Sequence, residues 1–409
     1  MKTMTSERGA ILLHVAIGLM VLIGVTSFVV DYGVMWVGRR QAQNAADAGA
    51  LAGAVSMAFD PNGWTDRTPT GPARSAAYQM AVTNGVWGQA PDVNIATDVY
   101  FTNQPADRCE PDADGNTPCI RVDVYRNQAR GNALPAIFGL AVGLTEQGVR
   151  ATATARVAIA NASDCLKPWA IPDKWQEVQS PGWDATDTYE TETCQGGTCV
   201  PMQNPDVYIA PTPTNPGTGF TVAPQPAGDL GLQLTLKEGS PSSAIAPGVF
   251  YPVRIPRYDG PSTGGNDYRE NIATCNGLPI EIGDELETEN GNMIGPTKQG
   301  VQDLIALDPG AQWDSVNNAV INSCAQAATP CGAKSPRIVA IPIFHTADYY
   351  AGKMTGLTTL TVVNILGFFI DDLQGNNVIG YLTEAPGLTT GNSTIAPPSS
   401  FLSQIQLIR

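Results

Sequence analysis

Residues 39–54 read RRQAQNAADAGALAGA, a basic pair followed by a run of small side chains. They come soon after the longest apolar stretch in the chain, Ala10–Val30 (AILLHVAIGLMVLIGVTSFVV), which has 21 residues. As a helix that stretch is about 31 Å long, the thickness of a bilayer core, and it is read as a transmembrane helix. A cleaved secretory signal has a shorter apolar region with a small-residue cleavage site close behind it. Here Asp31, Tyr32, Trp36 and Arg39 follow instead. Tyr32 and Trp36 suit the headgroup belt. His14 lies near enough to the end of the run to reach the interface and is assigned no function.

No proline or turn cluster interrupts the helical pattern until Asp60–Pro61–Asn62–Gly63. The spacing therefore predicts one helix from Ala10 to about Ala58, roughly 73 Å long. On a 3.6-residue wheel Val34, Val37, Ala45, Ala48, Ala52, Val55 and Phe59 share a face, interrupted by Gln41, with Arg39, Arg40, Gln43 and Asp47 opposite. Ala45, Gly49 and Gly53 repeat every four residues, a row with nothing bulky to hold a neighbouring backbone away. Two partners fit such a row: the sheet of its own domain, or helices of other subunits.

The net charge of −15 places no basic face on the molecule and argues against nucleic acid as a partner. With 32 prolines, 42 glycines and only 15% charged residues, the composition suits strands and loops more than helices. Lys2 and Arg8 precede the span and Arg39 and Arg40 follow it, so the positive-inside count barely prefers a cytoplasmic N-terminus. Cysteine decides the orientation. Cys109, Cys119, Cys165, Cys194, Cys199, Cys275, Cys324 and Cys331 all follow the span, and an even set with short spacings points to disulfides in an oxidising compartment. Of the 105 pairings eight cysteines allow, the separations favour Cys109–Cys119, Cys194–Cys199 and Cys324–Cys331 as local staples, leaving Cys165 with Cys275.

An N-terminal RGA, one apolar span, an acidic residue at its end and then RRQAQNAADAGALAGA together resemble the N-terminal domain of TadG-like proteins of the Flp, or tight-adherence (Tad), pilus-assembly system. The elements after it agree: Arg74–Thr83 reads as a helix, Val93–Phe101 and Cys119–Arg126 as strands, Leu134–Leu144 as a short apolar helix and Gly148–Ala160 as a strand. The resemblance covers about residues 8–162. It implies a pilin-like helix-plus-sheet module, a bacterial inner (cytoplasmic) membrane location, the lipid bilayer and other pilus-assembly subunits as partners, and a structural role in pilus assembly and surface adherence. Prepilin-peptidase substrates of this class are cut after a glycine and carry Glu five residues on; Gly9 is present, but His14 stands at the fifth place, which predicts a retained anchor. Some family members carry a von Willebrand A domain, whose metal site begins Asp-x-Ser-x-Ser; this run is missing here.

The expected organisation is a short cytoplasmic segment 1–9, a transmembrane helix 10–30, a TadG-like domain 31–162 and a C-terminal extracytoplasmic domain 163–409. The fold class is α+β: a single N-terminal transmembrane helix continuing into a long helix packed on an antiparallel sheet, then a second, disulfide-stabilised α+β domain. Twelve prolines between Pro201 and Pro261 exclude regular helix over most of that segment. Leu230–Leu236, Val249–Ile255, Arg337–Phe344, Thr358–Ile370, Asn377–Leu382 and Phe401–Ile408 read as strands, and Lys298–Ala306 and Trp313–Ala327 as helices.

Sites of chemistry are sparse. Asp112, Asp114 and Asn116 are spaced like the start of a calcium loop, but the bidentate Glu that closes such a loop is replaced by Asp123, so a hairpin tip closed by a disulfide is the simpler reading. His345 has Asp348 three residues on without a Gly-x-Ser-x-Gly elbow, a His-Glu-x-x-His pair or a Cys-x-x-Cys pair; it is the one residue around which an envelope hydrolase would be built. Glu281, Asp284, Glu285, Glu287 and Glu289 form an acidic run that reads as a solvated loop. Gly264–Gly265–Asn266 reads as a loop tip rather than a phosphate cradle. No cofactor is expected. Scaffolding leads, with a hydrolase or a ligand-binding adhesin using the Pro-rich segment as alternatives.

Overall fold

The computed structural model describes residues 6–408 apart from 61, 105–107, 113–114, 140–142, 144, 180–181, 185, 196–197, 223–227, 241–242, 258–263, 276, 328–330, 332–333, 354–358 and 391–395; at 6–10, 194, 352 and 353 it describes the backbone alone. The chain divides into two compact units, residues 1–157 with 405–409, and residues 158–404.

Unit 1 opens with a 54-residue helix, α1 (Ser6–Phe59), followed by α2 (Pro72–Thr83) and by β1 (Val99–Phe101), β2 (Cys119–Arg126), β3 (Leu134–Pro135), β4 (Glu146–Gln147) and β5 (Val149–Ile159). Pro72 occupies the first turn of α2, where its missing N–H costs nothing. β2 pairs antiparallel with β1 on one edge and β5 on the other. The outer half of α1 lies on this sheet and on α2, and the core between them is made of small residues: Ala42, Ala45, Ala46, Ala50 and Ala54 from α1, Ala73, Ala77 and Ala81 from α2, and Val122, Ala151, Ala153 and Ala155 from the sheet.

A Cβ built on Gly49 would lie 2.9 Å from both the Ala77 carbonyl oxygen and Ala81 Cβ; one on Gly53 would lie 2.8 Å from Ile120 Cδ1 and 2.9 Å from Ala77 Cβ. The Ala45/Gly49/Gly53 row is thus filled by its own unit. The buried stripe nevertheless differs from the one the wheel predicts. Val34 and Ala45 are buried, but Val37 is exposed and Ala48, Ala52, Val55 and Phe59 are half-buried, while Gly38, Ala42, Ala46, Ala50, Ala54 and Met57 are buried. At Gly49 and Gly53 small size rather than apolarity selects the inward residue, because α2 and β2 leave no room for a larger side chain there, whereas Val34 and Met57 are buried where a larger one fits. Gln43 and Asp47, read as outward, are half-buried, and Gln43 Nε2 donates to Asp47 and to the Thr152 carbonyl.

Unit 2 contains β6 (Ala162–Ser163), β7 (Trp169–Pro172), β8 (Glu192–Gln195), β9 (Thr198–Pro201), β10 (Gln233–Glu238), β11 (Val249–Pro252), α3 (Gly265–Ala273), β12 (Ile280–Glu281), β13 (Glu285–Glu287), α4 (Ile294–Leu307), β14 (Gln312–Asp314), β15 (Ala319–Ile321), β16 (Ile338–Phe344), α5 (Thr346–Lys353), β17 (Thr359–Gln374), β18 (Asn377–Thr383), β19 (Ala385–Pro386) and the start of β20 (Leu402–Ile408). Six strands follow one another in a closed ring, β17–β16–β7–β11–β10–β18, with β18 pairing back to β17 and β13 added on β17. Alternate residues face opposite ways: Trp169, Ile171, Phe250, Ile341 and Phe368 pack with Ile272 of α3 and Val301 and Leu304 of α4, while Ala170, Tyr251, Ala340 and Ile365 pack with Tyr349 of α5. Continuous apolar runs are what a sheet covered on both faces requires. In unit 1 the end of β20 returns Ile405 to the small-residue core and sets Ile408 against Cys109 and Cys119.

Three elements correct the sequence reading. Trp313–Ala327 is a hairpin, β14 with β15, followed by one short 3-10 turn rather than a helix. Asp314 accepts from the amides of Val316 and Asn317, and Asn318 adopts φ 49°, so the segment turns back on itself. Leu134 and Pro135 lie in β3, paired with β4, where a helix was expected; residues 140–142 and 144 of that expected helix lie outside the described residues. Gly264–Gly265–Asn266 is no isolated loop tip, because α3 begins at Gly265.

Replacing Gly49 with Ala is expected to cost about 1–3 kcal/mol through overpacking, against a gain of about 1 kcal/mol in helix propensity. Gly24→Ala, with nothing within 4 Å of the added carbon, is expected to leave stability unchanged or raised. Chemical denaturation of the detergent-solubilised chain compares the two.

Candidate functional site

The candidate site of unit 1 sits where the apolar run of α1 ends. Over that run the side chains point away from the protein: Leu12 is 74% exposed and Phe28 71%. Among the described residues this is the one helix long and apolar enough to cross a membrane. Phe28, Tyr32, Trp36 and Arg40 follow at four-residue steps, with Phe28 stacked on Tyr32 at 6.1 Å and the Arg40 guanidinium 4.7 Å from the Trp36 ring centre.

Asp31 marks the boundary. Its carboxylate accepts the backbone N–H groups of Ile137 (2.7 Å), Phe138 (3.2 Å to each oxygen) and Gly139 (2.5 Å). Successive amides converging on one carboxylate form an anion-binding nest. The same hydrogen bonds tie residues 137–139 to α1.

The loop is delivered there by the end of β2. Buried Arg126 donates from Nε to the Asn132 carbonyl (2.6 Å), from one terminal nitrogen to the Val86 carbonyl (2.8 Å) and from the other to the Ala133 carbonyl (3.3 Å). Arg130 pairs with Asp92 at 3.1 Å and Asp98 at 2.9 Å. Leu134 then docks over Gly38, where a Cβ would stand 2.7 Å from Leu134 Cδ1. Sequence reasoning singled out neither Asp31 nor Gly38 as a contact; the acidic residue closing an apolar run was the available signal.

Unit 2 holds a second cluster. Asp173 is fully buried; its carboxylate accepts from the amides of Lys174 (2.9 Å) and Phe220 (3.1 Å) and from the Tyr208 hydroxyl (3.1 Å). Burial pushes its carboxyl up to about 7, the hydrogen bonds notwithstanding, with nearby Asp229 adding to the rise. Lys174 is engaged by Asp229 at 2.7 Å. The Tyr208 ring stands edge-on to His345, ring centres 4.9 Å apart. His345 itself caps α5: its Nδ1 accepts the Asp348 amide at 3.1 Å and its carbonyl accepts the Tyr349 amide. The imidazole thus serves a helix start, and the residue placed beside it is a tyrosine committed to Asp173.

The remaining residues of interest have local roles. Asp112 closes its turn on the Asn116 amide at 2.7 Å and accepts from Trp64 Nε1 at 3.1 Å; Asp114 lies outside the described residues. Among the described residues no group of three or more His, Cys, Asp or Glu is arranged to hold a metal ion. In the acidic run, Glu287 and Glu289 pair with Arg254 at 2.8 and 3.0 Å, and Asp284 accepts the Glu281 amide. Disulfides join Cys109 to Cys119, Cys165 to Cys275 and Cys324 to Cys331. Cys199 is also disulfide-bonded and faces Cys194, whose side chain is not among those described, across the β8–β9 hairpin.

Unit 1 therefore defines a class: a single apolar helix that continues, without a break, into the small-residue core of an α/β unit. Residues 9–56 match the family described as putative Flp pilus-assembly TadE/G-like. The match lies wholly within α1 and leaves unit 2 without a counterpart. No curated protein and no solved structure matches the chain.

Two outcomes follow from these geometries. Asp31→Ala is expected to speed hydrogen exchange at the amides of residues 137–139 at least about tenfold, the loss of roughly 1.4 kcal/mol of protection per decade. Asp173 has a raised folded-state value, so the stability it contributes is full below about pH 4 and is lost as pH rises through about 7. In urea titrations at pH 5 and pH 8, followed through the neighbouring tryptophans, Asp173→Asn is expected to shrink the difference between the two by about 2–3 kcal/mol.

Proposed function

We propose that this chain is a membrane-anchored structural component of Flp (Tad) pilus assembly and surface adherence, held in the bacterial inner (cytoplasmic) membrane by α1 with its bulk extracytoplasmic. One observation carries the reading: the TadE/G-like match at 9–56 falls on the helix whose first half is apolar and exposed and whose second half is buried in unit 1. The disulfides support an oxidising compartment for both units. The helix lying on an antiparallel sheet supports a pilin-like arrangement of residues 31–162, and residues 163–409 supply a separate, disulfide-stapled surface.

The work is scaffolding rather than catalysis. The span fixes the protein in lipid, the glycine row holds α1 against α2 and the sheet, and other pilus-assembly subunits are the partners. His345, the residue a hydrolase would need, is engaged as a helix cap.

Deletion of the gene is expected to abolish surface pili counted by electron microscopy. The intact chain is expected to restore them, and a Gly49→Leu, Gly53→Leu chain, unable to seat α2, is not. Normal pilus numbers in the deletion strain would sink the assignment.

A further inference from the structure

The loop on Asp31 is folded against the usual rule. Its small residues, Ala136 and Gly139, are buried, while Ile137 is 48% exposed and Phe138 41%. A loop in water turns its large apolar side chains inward when it has the choice. Here the backbone dictates otherwise, because the amides of residues 137–139 all point at Asp31 and leave the two side chains facing outward.

The height of this loop along α1 says what it faces. Leu134 docks at Gly38 and the amides of residues 137–139 at Asp31. Those two points on the helix are about 10 Å apart, so the loop runs down the helix toward the apolar run. Its amides at 137–139 reach the residue that follows that run. The aromatic stripe Phe28, Tyr32 and Trp36 brackets the same level, and Arg40 folds back over Trp36, as a cation at the headgroup layer does when its stem lies along apolar surface.

We propose that Ile137 and Phe138 form a second lipid contact, inserted in the interfacial layer of the leaflet facing unit 1, with Asp31 as the positioning residue that holds them there. This inference rests on the anchoring reading of α1. The carboxylate is suited to that depth because its charge is met by amides of the protein itself and needs no lipid counter-ion. The contact continues the lipid-facing surface of the helix sideways, fixing the tilt of unit 1 on the membrane where a lone span leaves it free.

The test uses the full chain, with native disulfides formed, in phosphatidylcholine–phosphatidylglycerol vesicles. A polarity-sensitive fluorophore is attached at Ile137→Cys, at Phe138→Cys as a second position, at Leu22→Cys within the span, and at Asp60→Cys, an exposed site just past the far end of α1. Lipids spin-labelled near the headgroup are expected to quench the probes at 137 and 138 about twofold or more, and more strongly than lipids labelled deep in the chain. The Leu22 probe should show the reverse depth preference and the Asp60 probe no quenching. Adding Asp31→Ala is expected to reduce quenching at 137 while leaving Leu22 unchanged. Quenching at Leu22 with none at 137 and 138 overturns the lipid contact and leaves the anchor standing; no quenching at Leu22 overturns the anchor itself. A blue-shifted but unquenched probe at 137 reports a protein neighbour and also overturns the proposal.

Discussion

The constraint on which unit 1 depends is the near absence of side chains between α1, α2 and β2. Helix backbones approach closely only where Cβ atoms are missing or alone, and Gly49 and Gly53 stand opposite Ala77, Ala81 and Ile120 with no room for one more carbon. Each alanine buries little area, so stability comes from many short contacts made at once rather than from a few large side chains. The arrangement is consequently intolerant: a single added methyl group is felt across both helices and the sheet, whereas in a leucine core neighbouring rotamers can give way.

The two halves of this helix carry opposite surfaces. Below Asp31 it carries large apolar side chains outward and needs nothing from the protein, because every backbone group in the run is bonded within the helix. Above Arg39 it carries small side chains inward and needs a complete unit packed around it. The junction lies between these halves, where Asp31 ties the 137–139 loop and Gly38 admits Leu134. Those contacts join the span to the folded unit without a hinge, since α1 runs unbroken from Ser6 to Phe59.

Much of this was legible in the sequence, for identifiable reasons. The long helix follows from a pattern without proline or turn residues, and β16, β17 and β18 follow from apolar runs bounded by polar turns. What was misread turned on side-chain bonding that periodicity does not carry. Trp313–Ala327 has helix-compatible residues, but Asn318 turns the chain at φ 49° and β14 pairs with β15. The apolar character of 134–144 suggested a helix because nothing in that segment announces that Leu134 and Pro135 pair with β4, or that the amides of 137–139 belong to Asp31, more than a hundred residues earlier. On α1 the wheel favoured valines and the phenylalanine, whereas the close neighbour selected for size. The ring of unit 2 depends on β7 meeting β16 and β11, strands remote in sequence, and on β10 and β11 running parallel; no local pattern encodes such closures. Asp173 looked like any polar residue after a strand, and its burial is a property of the ring, Tyr208 and the Phe220 segment together.

Asp31 and Asp173 show how the environment decides what a carboxylate does. Both accept backbone amides, three at Asp31 and two at Asp173. Asp31 lies on the surface at the end of the apolar run, where its charge organises a loop at no great cost in hydration. Asp173 lies under a tyrosine in a closed interior, so its two amides do not offset the lost water and the carboxyl is pushed up to about 7. Its bonds hold the Lys174 and Phe220 segments whether or not the proton is present, because each amide donates to an oxygen in either state. A neutral carboxyl keeps those bonds without the penalty of a buried charge. Asp173 therefore works as a local tie for the ring and Asp31 as a charged one for the 137–139 loop, and only the second draws its strength from ionisation.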